Sequence, residues 1–323
     1  MLYNYLKTNI KNMKCQCDEN CIENLDELLK TIDEKYTPCK ECSKKTFKKA
    51  MPLRKQIKLE KLTTQYERCP TCNKRHIDVV MAHVLKIMIE NEQIIKTASI
   101  RKAAMPLITP AIELTQPPYL PERSLVIITP QIDLKTSQQI YEQVPEIKAV
   151  IKGDINQTLG IKDENTQKHN YQLMSGCPIR CDIQKTDKGY IPIYKDQSKL
   201  HIEYAKSNNE KIEQISQILT NYENPKIIDA MCGPGTLGIY ALKNNAQKVL
   251  FNDINSDSTN TTQINLKINN ITDNYEIMNE NILDLPNLVD EKYDIGFIDA
   301  FPGIDVDKYV NCLKKICNEV III

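Results

Sequence analysis

The stretch Lys226 to Ile323 alternates regularly between short apolar runs and amphipathic stretches, and this restricts the fold more than any other feature of the 323-residue chain. Ile227–Asp229, Val249–Phe251, Glu276–Met278, Ile295–Ile298 and Val320–Ile323 read as strands. Thr236–Asn244, Ser258–Ile268 and Val306–Ile316 read as the helices between them. Strands that alternate with helices pair in parallel, and crossover helices cover both faces of the sheet. The expected fold class is therefore α/β.

Within this stretch the most informative run is Ile227-Ile228-Asp229-Ala230-Met231-Cys232-Gly233-Pro234-Gly235-Thr236-Leu237-Gly238. A strand ends in an acid, two closely spaced glycines follow, and a helix opens. Glycines let a ligand approach the backbone, and a helix start offers free N–H groups. Twenty-four residues after Asp229 the next strand ends in Asp253, where a carboxylate can accept both hydroxyls of a ribose. The third strand is followed by the polar turn Asn279-Glu280-Asn281-Ile282-Leu283-Asp284. An acid four residues before the first glycine is unusual for a dinucleotide site and suits a ligand with a positive centre or an amine.

On these residues the segment resembles the class I S-adenosylmethionine-dependent methyltransferases. It is most similar to archaeal tRNA guanine methyltransferases and wybutosine-pathway aminocarboxypropyl transferases. Asp229–Gly238 resembles their first motif, Asn252–Asn255 their ribose motif and Gln263–Ile271 the helix that follows. The resemblance implies a Rossmann-like sheet with S-adenosylmethionine as cofactor. It implies Gly233 and Gly235 along the methionine moiety, Asp229 near its amino group, Asp253 on the ribose, and Asn281 with Ile282 beside the adenine. It extends more weakly upstream over Ile179–Tyr204, where a hairpin and a helix precede the core in those enzymes too.

The fourth strand leads into Asp299-Ala300-Phe301-Pro302-Gly303. Many amino-group methyltransferases carry Asn/Asp-Pro-Pro-aromatic here, so this chain departs from that pattern. Asp299 is the candidate base or orienting carboxylate and Phe301 a candidate stacking surface. The plainer alternative is that Asp299 caps the next helix and Phe301 is core. The resembled fold continues past its fifth strand with a helix and an antiparallel pair. Here the expectation is that a segment within Leu125–Gly189, or a partner chain or second copy, covers the edge formed by Val320–Ile323.

Seven of the twelve cysteines lie in the first quarter: Cys15, Cys17, Cys21, Cys39, Cys42, Cys69 and Cys72. The chain opens without an apolar signal core, so they read as metal ligands or free thiols. Cys39-x-x-Cys42 and Cys69-x-x-Cys72 can give four thiolates to one tetrahedral zinc, with Asn73 suited to the left-handed turn that ends such a knuckle. An iron–sulfur cluster would take the same thiolates. Cys15-x-Cys17-x₃-Cys21 is a lesser cluster. His76, Asp78 and His83 do not share one helix face and read as core or surface, and Cys177, Cys181, Cys232, Cys312 and Cys317 as packing residues. From Lys44 to His76 eleven cations face two acids, although Lys+Arg and Asp+Glu balance at 42 each over the whole chain. That local excess suits phosphates, or else forms a solvated face.

The expected organisation is a cysteine-rich zinc-binding module over residues 1–95, a proline-rich connector over 96–123, a small mixed α+β domain over 124–198 and the methyltransferase domain over 199–323. No run of about 18 apolar residues spans a bilayer. The resulting expectation is a cytoplasmic, archaeal-like methyltransferase acting on RNA, specifically tRNA. The alternatives are methylation of a small molecule or cofactor, and a non-catalytic methyltransferase-like binding protein.

Overall fold

The computed structural model describes residues 21–23, 25–154, 171–202, 205–301 and 304–323. Cys15, Cys17, Pro302 and Gly303 lie outside the described residues. The chain forms two compact units, one from Lys14–Arg180 with Asp196–His201, the other including Cys181–Lys195 and Ile202–Ile323.

In the first unit, helix α1 (Leu25–Lys35) precedes the cysteine pairs, and the short strand β1 (Arg75–His76) leads into α2 (Ile77–Glu90). The α2 sequence IDVVMAHVLKIMIE is apolar almost all round, and the helix is accordingly buried on nearly every side. The His76 ring caps it by accepting the Asp78 amide at 3.1 Å. The segment expected as a connector supplies strands β2 (Met105–Ile108) and β3 (Tyr119–Leu120). Strand β4 (Leu125–Thr129), helix α3 (Leu134–Gln143), and strands β5 (Ile147–Lys152) and β6 (Gln172–Gly176) follow. Their sheet runs β2-β4-β5-β6, with β4 and β5 parallel and both outer pairs antiparallel. One core joins Tyr36, Phe47 and Leu53 to α2 and to Leu125, Ile127, Ile140 and Val150.

Inside this unit Glu146 is fully buried. It accepts Arg75 at 2.6 and 2.8 Å and Arg68 at 2.8 Å. Two of the eleven cations counted in the sequence are thus spent on an internal ion pair. Lys74 is a third structural cation, bonding the carbonyls of Glu34 and Thr37. Burial and the nearby Arg75 guanidinium push the His83 pKa down to about 3.

The second unit takes Cys181–Lys195, most of the hairpin of β7 (Ile179–Thr186) and β8 (Gly189–Asp196), and continues with α4 (Ala205–Leu219). Then come β9 (Lys226–Asp229), α5 (Thr236–Lys243), β10 (Lys248–Asn252), α6 (Ser256–Ile268), β11 (Tyr275–Met278), α7 (Leu285–Leu288), β12 (Tyr293–Ile298), α8 (Asp307–Leu313) and β13 (Cys317–Ile322). The five strands are all parallel in the order β11-β10-β9-β12-β13. Alternate residues bury opposite faces. Ile227, Val249, Phe251 and Phe297 join the core with α4 and α5, while Ile228, Leu250 and Ile298 join the core with α7 and α8.

The strand order reverses direction at β9, which opens a crevice at the carboxyl ends of β9 and its neighbours. Among the described residues no strand pairs with the outer edge of β13. The strands of residues 125–189 form separate sheets instead, because their own partners satisfy their backbones. Ile321 and Ile323 pack inward against the α4 side, and Ile322 is 50% exposed. Cys177, Cys181, Cys232, Cys312 and Cys317 are all buried.

Candidate active site and cysteine cluster

The glycine loop is held from both sides. Ala230 donates its amide to the Phe297 carbonyl on β12 at 3.0 Å, and Cys232 donates to the Asn252 carbonyl on β10 at 2.9 Å. The Thr262 hydroxyl donates to the Gly233 carbonyl and the Asn265 amide to the Pro234 carbonyl, each at 2.9 Å. The glycines differ in purpose. Gly233 (φ +51°) faces open space where a Cβ would project, whereas a Cβ on Gly235 (φ +87°) would meet Thr262 at 2.9 Å. Gly238 lies against Phe251, so that α5 can approach β10 closely.

Asp229 is 1% exposed. One carboxylate oxygen accepts the Gly238 amide at 2.9 Å, and the other is buried without a partner. Burial pushes its pKa up to about 7, and the nearby carboxylates of Asp299 and Asp253 add to the rise. Asp253 turns one oxygen to the Gly233 amide at 2.9 Å and the other to the Asn255 amide at 2.8 Å, so it fixes the loop as well as facing the crevice. Its own pKa is raised, chiefly by burial.

Asn252 is buried and spans the strand ends. Its amide donates to the Ala230 and Glu280 carbonyls, and its oxygen accepts the Glu280 amide. Asn279 donates to the Asp253 carbonyl at 2.7 Å. Asn281 uses its side chain to hold the turn, accepting the Leu283 amide at 3.0 Å. Ile282 is buried in the core with Ile228 and Leu250. Two apolar side chains stand exposed at this rim, Ile254 at 73% beside Asp253 and Leu283 at 41% in the turn after β11.

On β12 the register places Phe297 beside Asp229, so Asp299 follows directly at the strand's carboxyl end. Lys211 of α4 donates to Asp299 at 2.5 Å. Asp299 does not cap the next helix: the α8 N-cap is Val306, with no side-chain bond. Phe301 is half-buried. Three carboxylates, Asp229, Asp253 and Asp299, therefore gather at the ends of three adjacent strands, with the Lys211 ammonium on Asp299. Sequence reasoning missed Lys211 and gave Asn252 and Ile254, inside the Asn252–Asn255 motif, no role of their own. Only the tertiary pairing of α4 with β12 reveals Lys211, whereas Ile254 was legible as an apolar residue beside the ribose acid.

In the other unit the four predicted cysteines converge. Their sulfurs all lie within 4.8 Å of one another. Cys39 lies 3.7 Å from Cys42 and 3.4 Å from Cys69, and Cys42 lies 3.4 Å from Cys72. Four thiolates around a tetrahedral zinc at roughly 2.3 Å would be about 3.8 Å apart, so the set fits. Asn73 takes the left-handed conformation (φ +59°) that closes the second turn, with its amide on the Cys69 carbonyl. The backbone amide of Cys72 holds the Cys69 thiol down at about 6. Cys21 sits elsewhere in the unit, 2.8 Å from the Lys148 ammonium.

Residues 208–297 match the model of the ribosomal protein L11 methyltransferase family (PrmA). The C-terminal sheet is a doubly wound, all-parallel α/β sheet. A tRNA (guanine(37)-N(1))-methyltransferase of Trichomonas vaginalis is 34% identical over 99 residues, 29% of this chain and 25% of that protein. The Pyrococcus abyssi tRNA (uracil-54, C5)-methyltransferase, solved with S-adenosyl-L-homocysteine, is 14% identical with a TM-score of 0.47, covering 75% of this chain and 55% of its own. The M. jannaschii tRNA m1G37 methyltransferase is 16% identical with a TM-score of 0.41, covering 60% and 55%. The chain thus spans a quarter of the length of the curated relative it matches and about half of these two solved chains.

Proposed function

We propose that this chain is an S-adenosylmethionine-dependent methyltransferase acting on tRNA, with a structural zinc in its cysteine-bearing unit. The observation that carries the cofactor reading is the buried, unpartnered oxygen of Asp229 at the carboxyl end of β9. A buried polar atom without a partner costs stability unless a ligand or water supplies one. The missing partner is a donor, and the surrounding field of Asp229, Asp253 and Asp299 is negative. A cofactor with one sulfonium and one ammonium group is complementary to both.

The bound cofactor supplies an activated methyl group on a positive sulfur. The protein's part is mainly to hold and orient. Gly233 leaves room at the loop, since nothing lies within 4 Å of its would-be Cβ. Asp253 accepts ribose hydroxyls while its backbone contacts keep the carboxylate fixed. Ile254 covers one face of the base. Asp299, held by Lys211, lies at the methyl end, where it accepts or orients the proton of the acceptor nitrogen. Phe301 follows two residues later as a stacking surface for a planar acceptor. The tRNA substrate rests on the similarity to the Trichomonas vaginalis tRNA methyltransferase. With Cys39, Cys42, Cys69 and Cys72 given to the zinc, the other described cysteines are free thiols, which fits a reducing compartment such as the cytoplasm.

The deciding experiment is transfer of labelled methyl from S-adenosylmethionine to bulk tRNA, with and without ribonuclease. Ribonuclease-sensitive label supports the reading. Label confined to small molecules, or cofactor binding without transfer, overturns it.

A further inference from the structure

The first unit sorts the cations that the sequence left as one run. Arg68 and Arg75 are spent on buried Glu146, and Lys74 on main-chain carbonyls. What remains is joined by a second segment from outside the run. Residues 43–58 and 96–104 together carry ten Lys and Arg and no Asp or Glu, in a chain whose net charge is zero. All ten of those side chains are exposed.

The fold ties these two segments together. Pro52 and Ser99 form a β-bridge, Leu53 donates its amide to Ala98 at 3.1 Å, and Arg101 donates to the Lys49 carbonyl at 3.3 Å. Each segment then turns through one short 3₁₀ helix, Leu53–Lys55 and Ile100–Lys102, that ends in two adjacent cations. Leu53 and Ile100 are buried beneath, so the cationic ends point outward. The Gln56 side chain clamps the intervening loop through Lys48 and Met51 at 2.7 to 3.0 Å. Among the described residues, the one acid within 4 Å of these cations is Asp78, 3.6 Å from Lys49.

We propose that this paired-turn surface, centred on Arg54, Lys55, Arg101 and Lys102 with Lys48 beside them, is a phosphate-backbone docking site for the RNA substrate. The inference rests on the tRNA reading above. Concentrated like charge on a neutral protein repels itself and gains by displacing counterions from a polyphosphate. The two turns are braced by main-chain bonds, so little order has to be imposed on binding. They carry no array of aromatic side chains, so the surface grips backbone and reads no bases. RNA is favoured over an anionic membrane because, among the described residues, no apolar helix face accompanies the cations.

The test uses full-length protein with Arg54→Gln, Lys55→Gln, Arg101→Gln and Lys102→Gln combined. Binding of bulk deacylated tRNA is followed by fluorescence anisotropy across a salt series, beside the same measurement with phosphatidylserine vesicles. Cofactor affinity and thermal melting report that the variant is folded. The expected result is at least a tenfold loss of tRNA affinity at moderate salt. The slope of log affinity against log salt should fall by about 3, since each lost phosphate contact removes roughly 0.7 to 0.9. A folded variant with unchanged affinity and slope overturns the docking site, while ribonuclease-sensitive methyl transfer by the parent protein would leave the tRNA reading intact. Tighter binding to vesicles than to tRNA also overturns it. Should the quadruple variant fail to fold, the pair Arg101→Gln and Lys102→Gln is read the same way, with half the change in slope expected.

Discussion

Asp229 accepts the Gly238 amide at 2.9 Å with one carboxylate oxygen and leaves the other, fully buried, without a hydrogen-bond partner. The same residue has a pKa raised from the ordinary carboxylate value to about 7 by burial. A carboxyl whose pKa is raised on folding holds its proton in the native state after the unfolded chain has released it. Its stabilising contribution is complete below about pH 4 and is lost as the pH rises to about 7. Asp229→Asn keeps an acceptor for Gly238 and removes the titration. Without cofactor, the parent should lose stability relative to the variant between pH 4 and 7, by something on the order of 4 kcal/mol at most. Urea unfolding of both proteins at a series of pH values measures it. The same substitution should weaken S-adenosylhomocysteine binding about 10- to 100-fold at pH 8, because it removes a charged acceptor.

The two loop glycines should respond differently to alanine. Both have positive φ, which costs an alanine about 1–2 kcal/mol. Gly235→Ala also drives its Cβ into Thr262 and should lose the more stability of the two. Gly233→Ala meets no protein atom. Its methyl enters the space a ligand needs, so its larger effect should appear in calorimetric cofactor affinity. Equal melting losses with unchanged affinity in both variants would contradict this division.

Ile254 is 73% exposed and holds up nothing in the core. Ile254→Ala should leave the melting temperature alone and weaken cofactor binding roughly tenfold, the worth of one lost apolar contact. Ile282, expected from sequence to border the adenine, is buried with Ile228 and Leu250. Ile282→Ala should instead lower stability, by about 2–5 kcal/mol.

Asp299→Asn should bind cofactor much as the parent does and slow methyl transfer by roughly 10²-fold or more, the range for a positioned proton acceptor. Single-turnover transfer under saturating cofactor separates the two effects. An unchanged rate would remove Asp299 from the chemistry and leave it as the ion-pair partner of Lys211.

Zinc should be present at one equivalent with the four-cysteine set. Cys69→Ser should lose the metal and lower the melting temperature, and a strong chelator should do the same to the parent. Elemental analysis beside thermal melting decides it. Metal retained in Cys69→Ser would exclude that residue as a ligand.

The α/β class, the five strands of the C-terminal sheet and the glycine loop were legible because each rests on local pattern. Period-2 and period-3.6 apolar spacing encode strand and helix, and the loop's acid and glycines sit within ten residues of one another. The cysteine pairs were legible for the same reason, since C-x-x-C spacing is itself a turn. Tertiary structure alone decided which distant groups meet. Glu146 withdraws Arg68 and Arg75 from the apparent basic run, Arg101 and Lys102 arrive beside Arg54 and Lys55, and Lys211 reaches Asp299 from 88 residues away. Such pairings depend on chain crossings, and a charge count along the sequence cannot distinguish a buried ion pair from a solvated face.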